Sequence, residues 1–172
     1  SLKEAGVPSM LVTTSPRRMA ENIMKQSEGL FAGYVCGDDP YEHKPNPAPY
    51  LAAADKLGIA REDMAKCVVL EDSSVGLQAG AASGATLIAQ TGWIRTDTSG
   101  LGQFASIESY DGIDAAALDG FVRQRLGGVE IGRLYRHCIP VCRKYLQCLY
   151  QPFDVCFDKL LKRYRIVANE EI

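Results

Sequence analysis

No stretch of this chain reaches the length of apolar sequence that a membrane-spanning helix requires. Such a helix needs about 18 consecutive apolar residues, and polar residues interrupt every window of that length. Net charge is also small, because 19 basic residues face 21 acidic ones, which argues against nucleic-acid binding through bulk charge. The first residues lack the basic-then-apolar profile of a secretory signal. With 47% apolar and 23% charged residues, the composition excludes wholesale disorder and predicts a hydrophobic core.

The composition is uneven along the chain. Residues 1–126 carry 11 basic and 16 acidic residues, whereas residues 127–172 carry 8 basic and 5 acidic ones and four of the six cysteines. We therefore predict a boundary near Gly127 between an α/β core and a basic, Cys/Tyr-rich extension. Cys36 and Cys67 are isolated in the sequence, so reduced thiols and a cytoplasmic or other reducing intracellular location are expected.

Short apolar runs alternate with helical patterns over the first half of the chain. Uninterrupted apolar runs of this kind indicate strands that are covered on both faces, as in a parallel sheet. The predicted strands are 10–12, 31–36, 67–70 and 85–89, and the predicted helices are 17–26, 48–57 and 75–82. The alternation predicts an α/β domain with a mainly parallel sheet, in which ligands bind at the carboxyl ends of the strands.

Polar residues follow three of these strands. Thr13, Thr14 and Ser15 come after the first strand, with Ser15 as the expected N-cap of the next helix, and hydroxyl and amide groups there favour an anion site. Lys44 lies in a proline-rich turn, and Glu71-Asp72 follow a third strand, where carboxylates suit a divalent cation. Each group also has a plain structural interpretation, as a helix cap, a solvated charge or a helix-dipole partner.

The order of the three groups carries more information than any one of them. The segments that contain them resemble the second, third and fourth motifs of the haloacid dehalogenase superfamily, in the branch of β-phosphoglucomutase and sugar-phosphate phosphatases. Those segments are Leu11–Arg17, Lys44–Tyr50 and Val69–Gly80. The resemblance covers about residues 1–95. It implies a Rossmann-like core and a Mg²⁺-dependent phosphatase or phosphomutase that acts on a small phosphorylated metabolite such as a sugar phosphate.

The resemblance also implies roles for single residues. Thr13 would hold a phosphoryl oxygen, with the backbone of Thr14 beside it, and Lys44 would neutralise charge on the transferring group. Asp72 would bind Mg²⁺, and Glu71 would support either the water shell of the metal or the lysine.

Four further residues in these motifs have less specific roles. By the same resemblance, Gly76 would let the following helix start close to the sheet. Ser15, Arg17 and Asn46 are candidate substrate or supporting contacts, with purely structural roles as the alternative for each.

One part of the family pattern is missing. Family members carry an Asp-x-Asp segment on the first strand, which supplies the nucleophile and the acid/base, followed by a helical cap. No Asp-x-Asp occurs anywhere in these 172 residues. We therefore expect the chain to correspond to the back half of the domain and to be inactive alone. Two alternatives are a non-catalytic remnant that serves as a binding or scaffolding module, and a piece of a longer enzyme that needs the missing segment.

The C-terminal extension shows a helical pattern. Apolar residues recur at intervals of three and four between Ile131 and Leu149 with basic residues among them, and a second stretch runs from Phe153 to Arg165. The pattern predicts amphipathic helices. They would contact a membrane surface or a protein partner, or would cover the exposed core. The resemblance implies that the family's first strand lies beside the predicted strand at 68–70. Because that first strand is missing here, another strand, a second chain or these helices must cover the gap.

Overall fold

The described residues form one parallel sheet. In this computed structural model they are residues 2–93 and 97–127, together with the backbone of residues 145–147. The strands are β1 (Ser9–Val12), β2 (Gly33–Val35), β3 (Val68–Glu71), β4 (Thr86–Gln90), β5 (Ala105–Ile107) and β6 (Tyr145–Gln147). Their order in the sheet is β2-β1-β6-β3-β4-β5, and every neighbouring pair is parallel. The predicted α/β class is confirmed.

Helices cover both faces of the sheet. They are α1 (Arg17–Gln26), α2 (Ala48–Lys56), α3 (Ser74–Ala82) and α4 (Ala115–Arg125), with a 3₁₀ helix at Arg61–Lys66 before β3. Successive residues of a strand face opposite sides. Accordingly, Val69 packs in the cluster that contains Tyr50 and Leu77, whereas Val68 and Leu70 pack with Leu118 and Val122. The uninterrupted apolar runs in the sequence reflect this two-sided burial.

The strand at Tyr145–Gln147 corrects one prediction. The periodicity of the extension predicts a helix there, yet these residues form β6 at the centre of the sheet. Tyr145 lies opposite Ser9 of β1 on one side and opposite Val68 of β3 on the other. Backbone N–H and C=O groups of two buried strands need hydrogen-bond partners. That requirement outweighs the local helical pattern, and the expected cover for β3 is supplied by a strand.

Most of the predicted extension lies outside the part of the chain that the structure describes. Residues 128–144 and 148–172 lie outside the described residues, as does the predicted helix from Phe153 to Arg165. The proposed boundary near Gly127 and the contact with a membrane or partner therefore remain predictions. Within the part of the chain that the structure describes, no helix is long and apolar enough to cross a membrane.

Candidate functional site at the carboxyl edge of the sheet

Lys44 bridges two strand ends at the carboxyl edge of the sheet. Its ammonium Nζ donates to the backbone oxygen of Val12 at 3.3 Å and to Oε2 of Glu71 at 3.0 Å. Val12 ends β1 and Glu71 ends β3, and these strands flank β6. Strands lie about 4.8 Å apart, so the ammonium lies over the central part of this edge. The side chains of Lys44 and Glu71 are only 3% and 0% exposed, which makes this a buried ion pair.

Glu71 is held by partners on both carboxylate oxygens. Oε2 accepts from Lys44 and from the hydroxyl of Tyr50, the latter at 2.5 Å. Oε1 accepts from the amide of Asp72 at 3.1 Å, and from the amide and hydroxyl of Ser73 at 3.0 and 2.9 Å. A buried carboxylate with this many donors is fixed in place. Of the two roles that the resemblance implies for Glu71, the geometry favours support of the lysine.

The next residue, Asp72, is a buried carboxyl group with unusual electrostatics. Burial of its carboxyl group and repulsion by the Glu71 carboxylate raise the pKa of Asp72 to about 7, against the opposing pull of Lys44. A site that makes a second negative charge this costly favours a bound cation or a proton.

The described residues do not complete a magnesium site. Glu71 is engaged with Lys44, Tyr50 and the following turn, so Asp72 is the one carboxylate of this pair placed to meet a cation. No group of three or more His, Cys, Asp or Glu side chains within these described ranges is arranged to hold a metal ion. A hard divalent cation takes six or more oxygen ligands.

Gly76 allows the close approach between α3 and this carboxylate. A Cβ atom on Gly76 would lie 2.0 Å from Cδ of Glu71 and 2.1 Å from its Oε2. Any larger residue would have to displace the Glu71 carboxylate. The expected role of Gly76, a close start of the helix against the sheet, agrees with this contact. The helix is capped by Ser73, whose Oγ accepts from the amide of Gly76 at 3.1 Å.

The end of β1 is built from a local turn. Thr13 is 4% exposed, and its Oγ1 accepts from the amide of Ser15 at 3.1 Å. A hydroxyl that accepts a hydrogen bond keeps its own hydrogen to donate. Thr14, next to it, is exposed. Ser15 is not the N-cap of α1 as predicted, because the helix begins one residue later, after Pro16, with no side-chain cap bond from that residue.

Asp38, and not Ser15, caps the start of α1. Its Oδ2 accepts from the amide of Arg17 at 2.6 Å, across 21 residues of sequence. Sequence reasoning missed this cap because Asp38 belongs to the loop after β2. The acid occupies part of the amide cluster that the sequence suggested for an anion.

Two candidate contacts are engaged with neighbouring residues. The guanidinium of Arg17 donates to Asp39 at 2.6 Å and to the hydroxyl of Tyr34 at 3.3 Å. The amide of Asn46 donates to Glu42, and its oxygen accepts from the amide of Ala48 at 2.8 Å, at the start of α2. Both side chains therefore have structural partners in loops around the site, whereas Thr13, Lys44 and Asp72 gather at the strand ends.

Comparison with known proteins agrees with this arrangement. The model of the haloacid dehalogenase-like hydrolase family matches residues 1–84. This segment belongs to the haloacid dehalogenase-like hydrolases. The match contains all three motifs and the strand ends that carry Thr13, Lys44 and Asp72.

Similar proteins in the family are known from sequence and from structure. A haloacid dehalogenase-like hydrolase domain-containing protein of Arabidopsis thaliana is 36% identical over 88 residues, which are 50% of this chain and 27% of that protein. Hexitol phosphatase A of Escherichia coli is 36% identical over 90 residues, covering 51% of this chain and 40% of that enzyme. The chain thus spans less than half the length of these curated relatives.

The fold has counterparts among solved structures of the family. The crystal structure of CbbY from Rhodobacter sphaeroides in complex with phosphate matches with a TM-score of 0.58 at 26% identity. The match covers 68% of this chain and 53% of that one. A haloacid dehalogenase family hydrolase from Entamoeba histolytica matches with a TM-score of 0.61 at 24% identity, over 71% of this chain and 56% of that one, which supports the fold.

Sequence reasoning missed one residue at the centre of the site. Tyr50 ends the third-motif segment that carries Lys44, but the motif gave it no role. It is 0% exposed, and it contacts both members of the Lys44–Glu71 pair. The available signal was its position six residues after Lys44, in the first turn of the helix that the proline-rich turn introduces.

Proposed function

We propose that this edge of the sheet binds the phosphoryl group of a small phosphorylated metabolite, such as a sugar phosphate, as part of a phosphatase or phosphomutase site. The observation that carries the proposal is the buried Lys44 ammonium, which lies between the ends of β1 and β3 and contacts the backbone oxygen of Val12, the residue before Thr13. A preorganised cation in a site of low dielectric interacts strongly with an anion. The names of two similar proteins, hexitol phosphatase A and CbbY in complex with phosphate, support the same ligand class.

Lys44, Glu71 and Thr13 have different roles in holding a phosphoryl group. Lys44 supplies the positive charge, and Glu71 keeps the ammonium at the sheet edge. The hydroxyl of Thr13 accepts from the amide of Ser15 and directs its own hydrogen toward a phosphoryl oxygen. Phosphoryl transfer depends mainly on such positioning and charge neutralisation.

Turnover needs a group that these residues do not supply. In the family, a nucleophilic aspartate from an Asp-x-Asp segment attacks phosphorus, and this sequence contains no such segment. Both oxygens of Glu71 are engaged, so it does not replace that nucleophile. We therefore expect this chain alone to bind phosphate without hydrolysing esters. The second candidate function, a non-catalytic phosphate-binding module, rests on the same observation.

Binding is tested by titrating inorganic phosphate into the full chain by calorimetry. Lys44→Met should weaken binding at least about tenfold, which corresponds to about 1.4 kcal/mol. The double variant Lys44→Met/Glu71→Gln repeats the test without leaving a buried unpaired carboxylate. Lys56→Met is the matched control, because Lys56 is an exposed lysine in α2 that contacts Asp39 and Tyr34 instead. Unchanged affinity in both Lys44 variants would contradict the proposal.

Catalysis is tested separately with p-nitrophenyl phosphate, with and without Mg²⁺. The chain should hydrolyse it no faster than its Lys44→Ala variant does. Turnover that requires Mg²⁺ and disappears in Lys44→Ala would show that another residue serves as the nucleophile, and would rule out the non-catalytic alternative.

A further inference from the structure

Tyr50 makes two different contacts with the buried ion pair. Its hydroxyl donates to Oε2 of Glu71 at 2.5 Å, and its ring centroid lies 4.8 Å from Nζ of Lys44. The first contact is a charge-assisted hydrogen bond and the second is a cation–π contact, and both are strengthened by burial. Among the natural side chains, tyrosine combines an aromatic face with a hydroxyl at this reach. Phenylalanine would keep the ring and lose the hydrogen bond.

The hydroxyl of Tyr50 and the ammonium of Lys44 share one oxygen. Oε2 of Glu71 accepts from both, whereas Oε1 is bound by the turn that follows β3. The negative charge on Oε2 is therefore divided between two donors. Without the phenol, Oε2 would lose one of its donors, and the ammonium of Lys44 would be drawn toward that oxygen. Such a movement would lengthen the 3.3 Å contact of Nζ with the oxygen of Val12.

This geometry makes the site's charge depend on Tyr50. A carboxylate that is partly neutralised by a phenol cancels less of the positive charge of a neighbouring ammonium. The ammonium then keeps more of its charge for an incoming anion, and it stays at the end of β1, against the backbone oxygen of Val12.

We propose that Tyr50 is a positioning residue of this site: through Glu71 and its own ring it holds the Lys44 ammonium at the sheet edge in the place where a phosphoryl group binds. The inference rests on the proposed function for its ligand. The Tyr50–Glu71–Lys44 arrangement itself is independent of that ligand and can be followed without it.

The first experiment observes the ammonium directly. In protein labelled with ¹⁵N-lysine, the Lys44 NH₃⁺ resonance is assigned by its loss in Lys44→Met. Tyr50→Phe should shift this resonance and speed its exchange with water, while leaving the ring-current contribution that Tyr50→Leu removes. Tyr110→Phe is the control, because Tyr110 lies after β5 and packs against Trp93. An NH₃⁺ resonance that is identical in wild type and Tyr50→Phe would overturn the inference.

The second experiment separates a positioning role from a general loss of packing. Tyr50→Phe should weaken phosphate binding about tenfold, the range expected for one hydrogen bond to a charged group. In the Glu71→Gln background the same substitution should change the affinity less than about twofold, because Tyr50 acts through that carboxylate. Equal losses in both backgrounds would overturn the inference. If the wild type binds no phosphate, the proposed function fails, and the ammonium resonance alone decides the role of Tyr50.

Discussion

The two strand ends that form the site are built in different ways. At the end of β3, Glu71 is fully buried and is bound by groups from the third-motif loop, from α2 and from its own turn. At the end of β1, Thr13 is bonded within its own turn, and Arg17 pairs with Asp39 while 45% exposed. At the β3 end both charges of the ion pair are thus fully buried, whereas at the β1 end the threonine is held within its own turn and the guanidinium of Arg17 is half exposed.

The difference indicates that residues at the β3 end affect both the stability of the fold and the function of the site. Buried charges are costly unless each has a partner, so removing one member of the β3 network should affect the fold as well as the site. Exposed pairs contribute little to the free energy of unfolding. Substitutions at the two ends should therefore differ by several-fold in their effect on stability.

The largest loss of stability should come from removing the strand that lies between the two ends. β6 is the strand that joins β1 to β3, so deleting residues 127–172 should make the remainder insoluble or strongly self-associating. Two buried strands would then lack hydrogen-bond partners along one side. Size-exclusion chromatography and thermal melting measure the outcome. A deletion variant that stays monomeric with an unchanged Tm would show that the strand is dispensable.

A single substitution refines this test. Leu146→Pro removes an amide hydrogen from the middle of β6 and should lower the Tm, because proline is poorly tolerated in a central strand. Leu146→Val keeps the amide hydrogen at the same position and serves as the matched control. Equal melting temperatures for the two variants would argue against a central strand at this position.

The next effect compares the two ion pairs directly. Glu71→Gln leaves the Lys44 ammonium buried without its counter-ion and should lower the free energy of unfolding by about 3–5 kcal/mol. Arg17→Met removes a half-exposed guanidinium and should cost about 1 kcal/mol or less, because Asp39 keeps the amide of Cys36 and the ammonium of Lys56 as partners. Urea denaturation measures both. Similar losses of unfolding free energy in the two variants would refute the distinction between a fully buried pair and a half-exposed one.

The same contrast explains what the sequence could predict. The strands and α-helices up to Gln90 follow from apolar runs and turn residues, whereas the 3₁₀ helix at Arg61–Lys66 was not predicted. The placement of Thr13, Lys44 and Asp72 at one edge follows from the rule for parallel sheets. These features depend on local patterns. β5 and α4 were not predicted, because α4 lacks a pronounced apolar stripe and β5 is short and only partly buried.

The contacts that complete the site could not be predicted in the same way. The cap from Asp38 to α1, the hydrogen bond from Tyr50 to Glu71 and the position of β6 all join segments that are far apart in sequence. For Tyr145–Gln147 the local pattern favoured a helix, and the hydrogen-bonding requirement of two neighbouring strands determined the outcome. Long-range partners of this kind leave no periodic signal.

A smaller effect on stability depends on pH, through the carboxyl group of Asp72. The folded-state pKa of Asp72 is raised from 3.8 to about 7, so this group lowers stability as pH rises between those values and exerts its full penalty above about 7. Asp72→Asn should therefore match wild type near pH 4 and exceed it at pH 8, by on the order of 3 kcal/mol. Equal stability at both pH values would contradict the raised pKa.

A control of opposite sign is available for this measurement. Hydrogen bonds from Ser99 lower the pKa of the exposed Asp97. The ionised form of Asp97 is therefore favoured in the folded state, and its contribution is lost as pH falls through the folded-state pKa. Asp97→Asn should be slightly less stable than wild type at pH 8, with the difference shrinking toward acid pH. Unfolding free energies of both variants across the same pH series make the comparison.

The smallest effect tests the close packing at the β3 end. Gly76→Ala would place a Cβ atom 2.0 Å from Cδ of Glu71, and overpacking of this kind costs about 1–3 kcal/mol. Gly120→Ala in α4 is the matched control, because a Cβ atom there meets nothing within 4 Å and alanine is favoured in a helix by about 0.5–1 kcal/mol. The two substitutions should therefore change the free energy of unfolding in opposite directions.

Because the added methyl group presses on the carboxylate that holds Lys44, Gly76→Ala should also weaken phosphate binding, whereas Gly120→Ala should not. Loss of stability with phosphate affinity unchanged would mean that the site tolerates displacement of Glu71, and that Lys44 is held mainly by its contacts with Val12 and Tyr50.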